Sequence, residues 1–250
     1  GNFFLNIGNS RTIFTAHLDT ASNFQVDVKH EISEQQIVST DGTSILGADD
    51  KAGVTILLWM IKNNIPGLYY FFIGEECGCV GSSAASVYGD FKGKYDRIIS
   101  FDRRGTSSVI TFQSSHRSCS DEFAKALCQE LNKEKHFFYK PDDGGIYTDS
   151  AEFVDLIPEC TNISVGYQSE HTVRETQDLY HLYKLAKAVL KVDWENLPTK
   201  RIAGTTESKW SRWESAYVQT SNYATLVGEE DDDFEDYSYG WASSKPKKRK

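Results

Sequence analysis

Alternation dominates the first forty residues. "NFFLNIG", "RTIFTAHL", "FQVDVKH" and "QQIVST" carry apolar side chains at alternate positions or in short runs, with turn chemistry at Gly8-Asn9 and Asp41-Gly42, and the spacing predicts four strands. From about residue 50 the period lengthens. "DKAGVTILLWMIKNN" predicts a mostly buried helix, "GLYYFFIG" a central strand, "GSSAASVYG" a short helix, "YDRIISFD" a second buried strand and "SSVITFQ" a further one. The amphipathic pattern of "CSDEFAKALCQELNKEK" predicts a helix. A polar loop "KPDDGGIYTDS", a strand "TNISVGY" and a helix from about Arg174 to Val192 complete the pattern. Strands alternating with helices over this length predict an α/β domain with a largely parallel central sheet.

Beyond about Lys200 the periodicity fades. An acidic block, "EEDDDFED", and a basic end, "KPKKRK", mark residues 201–250 as a flexible tail behind a domain of residues 1–200. The basic end reads either as a solvated terminus or as a localisation or nucleic-acid patch. No internal repeat is visible.

Composition narrows the class. The 250 residues, 39% hydrophobic and 13% aromatic, suffice for one large domain with a buried core. A net charge of −9 argues against general nucleic-acid binding by the domain and permits a site rich in carboxylates. No stretch approaches a membrane span, and "GNFFLNIGNS" lacks the features of a signal peptide, so the expectation is a soluble, cytoplasmic protein. The chain opens on Gly rather than Met, which leaves a trimmed start open. Cys77, Cys79, Cys119, Cys128 and Cys160 form an odd set without framework spacing, which fits a reducing compartment.

Chemistry enters through the position of the acids. With 36 acids in the chain, about five adjacent acidic pairs are expected by chance, so a pair by itself says little. These acids, however, close apolar runs: His17-Leu-Asp19 follows "RTIFTA", Asp49-Asp50 follows "SILGA", Glu75-Glu76 follows "YYFFIG", and Asp102 follows "RIISF"; His171 follows "ISVGYQSE". Taken singly, each reads as a solvated loop acid or a hydrogen-bonded histidine. Together they predict convergence, because the carboxyl ends of parallel strands share one edge of an open sheet. A divalent cation would neutralise carboxylates gathered there. Two histidines with about four carboxylates suit zinc, or cobalt or manganese, better than calcium, and the donors suffice for two ions.

The motifs "AHLDT", "LGADDKAG", "GEECGCVGS", "FDRRG" and "SEHTVRE", in this order, resemble the co-catalytic dizinc exopeptidases: the zinc aminopeptidases, peptidase T and glutamate-carboxypeptidase-like enzymes. The resemblance covers about residues 1–195. It implies a three-layer α/β/α sandwich of the zinc-exopeptidase, phosphorylase/hydrolase-like type, with two Zn2+ per chain and a peptide substrate. Carried over by position, His17 binds one zinc and Asp19 orients its imidazole. Asp49 bridges both ions with Asp50 as support, and Asp102 and His171 bind one ion each. Glu76 completes a shell, although spacing does not say which ion takes Glu76 and which Asp102. Glu75 is the general base. Only 68 residues separate Asp102 from His171, too few for an inserted lid or dimerisation domain, so the single-domain aminopeptidase-like branch fits best.

Asp149 and Ser150 either contact a substrate terminus or cap the helix that follows. Arg103 and Arg104 either hold a carboxylate terminus or make surface salt bridges. Relatives carry a helix and one or more strands ahead of the segment that opens this chain, leaving a fragment, a compact fold or completion by another polypeptide as alternatives; oligomerisation stays open. Two further functions compete with an aminopeptidase: a related zinc amide hydrolase or glutaminyl-cyclase-like acyltransferase, against which His17 counts, and a silent binding module on the same fold.

Overall fold

Strands buried on both faces read as continuous apolar runs, and "TIFTAH", "GLYYFF" and "RIISF" meet at the centre of the molecule. The computed structural model describes residues 1–22 and 27–209. In chain order its strands are β1 (Phe3–Ile7), β2 (Thr12–His17), β3 (His30–Ile32), β4 (Ile37–Thr40), β5 (Gly67–Phe72), β6 (Arg97–Arg103), β7 (Ser108–Ile110), β8 (Phe112–Gln113), β9 (His116–Arg117), β10 (Lys140–Asp142), β11 (Glu159–Ser164), β12 (Tyr167–Gln168) and β13 (Thr176–Asp178). The helices are α1 (Ala48–Lys62), α2 (Val80–Tyr88), α3 (Asp121–Leu131) and α4 (Leu179–Ala188), with a 3-10 turn at Asp149–Phe153.

The main sheet has the order β1-β5-β2-β6-β11-β7-β10. Strands β5, β2, β6 and β11 run parallel; β1 is antiparallel to β5, and β11 meets β7 antiparallel. A smaller sheet, β12-β13-β4-β3, is antiparallel. Successive side chains of a strand face opposite ways, and the core divides accordingly. Phe14, Tyr69, Ile99 and Phe101 pack with Ile56 and Met60 of α1, Phe123 and Leu127 of α3, and Leu185 of α4. Ile13, Leu68, Phe72 and Ile98 pack on the other face with Phe91, Phe153 and Ile157. Each fully buried side chain of this size contributes roughly 1.5–3 kcal/mol. Helices on both faces of a mixed, mostly parallel sheet make the chain an α/β protein, as the alternation predicts.

Three local expectations change. The helix expected from Arg174 begins only at Leu179, because residues 176–178 pair with β4 as a strand and the Asp178 side chain accepts the His181 amide at 2.8 Å, capping α4. The expected loop at 140–150 opens on β10, which runs parallel to β7, and closes on the 3-10 turn. "SILGA" is not a strand: Asp49 and Asp50 open α1 with non-helical backbone angles, joined by a cis peptide bond. The first three residues of the strand expected at "FQVDVKH" lie outside the described residues, and pairing starts at His30.

Residues just past 200 are bonded to the domain. The amides of Lys200 and Arg201 donate to Glu159, the Arg201 guanidinium donates to the carbonyls of Val154, Ile157, Pro158 and Thr205, and Arg117 pairs with Glu207 at 2.7 Å. Residues 210–250, which hold the rest of the expected tail, lie outside the described residues. Among the described residues no helix is long and apolar enough to cross a membrane.

Candidate metal centre

The end of β2 presents His17 and, one strand away, the end of β6 presents Asp102. Both therefore reach the same rim. The turn after β5 brings Glu75 and Glu76, the start of α1 brings Asp49, and the loop between β12 and β13 brings His171. Asp49 Oδ1 lies 2.9 Å from His17 Nε2, and its Oδ2 lies 3.0 Å from His171 Nε2. Glu76 Oε1 is 2.9 Å from His171 Nε2, and Asp102 Oδ1 is 3.6 Å from His17 Nε2. The five side chains named as metal ligands from the sequence thus meet in one place. Asp102 approaches His17, and Glu76 approaches His171.

The donor atoms of His17, Asp49 and Glu76 lie within 4.8 Å of one another, as do those of His17, Asp50 and Asp102. Asp50 is nevertheless engaged elsewhere. Its Oδ2 accepts the His17 amide at 3.1 Å and its Oδ1 the Gly53 amide at 3.0 Å, so it ties the end of β2 to α1. That tie needs Gly53: a Cβ there would sit 2.2 Å from the Phe101 carbonyl oxygen and 2.5 Å from Asp50 Oδ1. The donor set fits a divalent cation on one specific count. Glu76 Oε1 is buried with no hydrogen-bond partner, 2.9 Å from His171 Nε2, and a buried oxygen left without a donor is what a bound cation would satisfy.

Electrostatics agree with the donor chemistry. Burial, then the charge of Asp102, pushes Glu75 up to about 8, and burial raises Asp49 to about 7 despite its contact with His17. Burial alone would lower His17, but Asp102, Asp19 and Asp49 outweigh it and hold the imidazole raised. Burial opposes ionisation of Asp102 too, yet His17 and the Thr148 hydroxyl keep its carboxyl below the usual range. A dication among these groups would offset both burial and mutual repulsion.

Asp19, expected to orient the His17 imidazole, stands beside it and has a second set of partners. The His17 Nδ1 contact at 3.0 Å is to the Asp19 backbone carbonyl, with the carboxylate at 3.6 Å. The carboxylate also accepts the amides of Glu75 and Glu76 at 3.2 and 3.1 Å. This fixes the turn that separates the two glutamates: Glu76 faces His171, while Glu75 lines the cleft and accepts a weak bond from Cys79 Sγ at 3.7 Å. Asp149 and Ser150 are buried and are not among the residues lining the cleft. Ser150 Oγ accepts from Gln113. Asp149 lies beside the Ser82 hydroxyl, which donates to the Cys79 carbonyl at 3.1 Å, and burial outweighs the pull of that hydroxyl and pushes Asp149 up to about 7.

Four supporting residues were not singled out from the sequence. Glu175, 1% exposed, accepts the Gly47 amide at 2.7 Å and the Asp49 amide at 3.0 Å. Asn162 brackets the Asp102 backbone with bonds of 2.9 and 2.6 Å, and Thr148 and Tyr167 donate to the Asp102 carboxylate at 2.6 and 3.0 Å. All four lie inside quoted stretches, Glu175 in "SEHTVRE", Thr148 in "KPDDGGIYTDS" and Asn162 and Tyr167 in "TNISVGY", but without a role read for them.

No family model matches the chain. It is 41% identical over 102 residues to the uncharacterized protein YqjE of Bacillus subtilis (strain 168), a match covering 34% of this chain and 27% of that protein, so the chain spans about a quarter of its length. The fold is similar to aminopeptidase PepT from Bacillus cereus ATCC 10987, with a TM-score of 0.64 and 17% identity over 78% of this chain and 84% of that one. It is also similar to the Pyrococcus horikoshii TET1 peptidase, which can assemble into a tetrahedron or a large octahedral shell, with a TM-score of 0.54 and 16% identity over 77% and 87%. At these identities the likeness is one of α/β fold alone.

Proposed function

We propose that the chain is a metal-dependent peptide hydrolase, an aminopeptidase using two zinc ions, with cobalt or manganese as substitutes. One observation carries this reading: the two oxygens of the Asp49 carboxylate approach two different imidazoles, at 2.9 and 3.0 Å, as a residue shared by paired ions must. His17 and Asp102 would hold one ion, His171 and Glu76 the other, and Asp49 both. When bound, the ions polarise a peptide carbonyl and lower the pKa of a water toward about 7. Glu75 is the general base. Its Oε1 accepts from Cys79, leaving Oε2 to take a proton from the attacking water and return it to the departing amine. Asp19 sets where that carboxylate starts, through the Glu75 amide. The cyclase-like alternative is disfavoured by His17, which is buried against Asp49.

Metal analysis together with hydrolysis of amino-acid p-nitroanilides tests the reading. The expectation is two ions per chain, cleavage abolished by a chelator and restored by zinc, and loss of both ions in Asp49→Ala. Chelator-resistant cleavage, or full metal content in Asp49→Ala, would end it.

A further inference from the structure

Of the two arginines that line the cleft beside Glu75 and Asp102, one is committed and one is not. Arg104 Nη1 pairs with Glu170 Oε1 at 3.1 Å. Arg103 makes no ion pair among the described residues; its one hydrogen bond runs from Nη2 to the Gly144 carbonyl at 3.1 Å. Asp142 feels its charge, but the Asp142 oxygens are taken by the Ser108 hydroxyl at 2.6 Å and the Gly144 amide at 2.7 Å. A guanidinium has five N–H donors in a planar fork suited to bidentate carboxylate binding, so most of the Arg103 fork is free. Its anchor is closely packed. The loop that supplies the Gly144 carbonyl is tucked against β8 so closely that a Cβ at Gly145 would lie 2.2 Å from the Phe112 carbonyl oxygen.

The rest of the cleft says what kind of carboxylate this is. Ile110, Ile146 and Tyr147 line the same cleft as Arg103, together with the acids Asp49, Glu75 and Asp102 of the metal centre and with Glu170, which Arg104 already pairs. The cleft has a volume of about 170 Å³, below the roughly 300–1,000 Å³ of a typical ligand pocket, so it takes a short substrate or one end of a longer one. The geometry points to Arg103 as a carboxylate subsite that holds the free C-terminus of a short peptide whose scissile bond lies at the metal centre. This rests on the peptidase reading for the direction of the substrate. An acidic side chain presents the same chemistry, and the test separates the two.

Calorimetric binding to zinc-loaded Glu75→Gln protein, in which substrates stay intact, reads the subsite without turnover. The probes are Leu-Gly-Gly, its C-terminal amide, and Leu-Gly-Glu-amide, which has only a side-chain carboxylate. A charge-assisted pair predicts that Leu-Gly-Gly binds about 10- to 100-fold more tightly than its amide. Adding Arg103→Met should bring its affinity down to that amide level, and Leu-Gly-Glu-amide should bind no better than the simple amide. Equal affinity for acid and amide, a preference that survives Arg103→Met, tighter binding of the side-chain acid, or no binding of Leu-Gly-Gly at millimolar concentration would each overturn the assignment. An Arg103-dependent preference in a protein that hydrolyses none of the peptides when Glu75 is intact would sink the peptidase reading and leave the subsite standing.

Discussion

Glu175→Gln isolates the contact that sets Asp49. The native carboxylate accepts two amides across a sequence separation of more than 120 residues, Gly47 at 2.7 Å and Asp49 at 3.0 Å, and it is 1% exposed. A glutamine keeps the shape but has a single acceptor oxygen, so one amide must face an NH2 group. Losing a bond to a charged acceptor costs roughly 1.5–3 kcal/mol, and burying the stranded N–H costs about 1 kcal/mol or more. The expected loss is therefore about 3 kcal/mol, measured by urea unfolding of the metal-free protein with an unchanged m-value. Because Asp49 is also displaced, zinc affinity in a competitive chelator titration should fall about 10- to 100-fold, the usual effect of removing a residue that orients a ligand. A variant within 0.5 kcal/mol of wild type and with undiminished zinc affinity would refute the idea that Glu175 positions Asp49.

Other outcomes follow from the same contacts. Glu75→Gln should retain two ions by metal analysis yet lose about 10²- to 10⁴-fold in kcat; unimpaired turnover removes Glu75 as the base. Gly53→Ala forces a methyl group to within 2.2 Å of the Phe101 carbonyl oxygen and should destabilise the fold by several kcal/mol, with soluble expression and thermal melting as the readouts; a normal melting temperature contradicts the packing described. His181, buried beside Tyr139, is lowered by burial from 6.5 to about 4. Its neutral form is the one the fold accepts, so its contribution is complete above pH 6.5 and is lost as pH falls toward 4, at up to about 1.4 kcal/mol per unit. Wild type minus His181→Phe stability should slope across that window, and parallel profiles would exclude this titration.

What the sequence determined by itself is which residue types stand at the ends of which apolar runs. Periodicity is local, so the central strands, α1, α2 and α3 were legible, and so was the α/β class. The gathering of His17, Asp49, Glu76, Asp102 and His171 could be anticipated because parallel strands end on one edge. Tertiary structure decided what each carboxylate does. Asp49 and Asp50 are chemically identical neighbours, yet one meets two imidazoles and the other accepts the amides of His17 and Gly53; only the backbone path separates them. Asp19, legible from its spacing as a neighbour of the His17 imidazole, also accepts the amides of Glu75 and Glu76 on its carboxylate, which no spacing shows. The strand at 176–178 forms because β4 lies beside it, whereas its local pattern favours helix. A buried carboxylate must find donors, and whether they come from the next residue or from one more than a hundred positions away is set by packing, which no local pattern records.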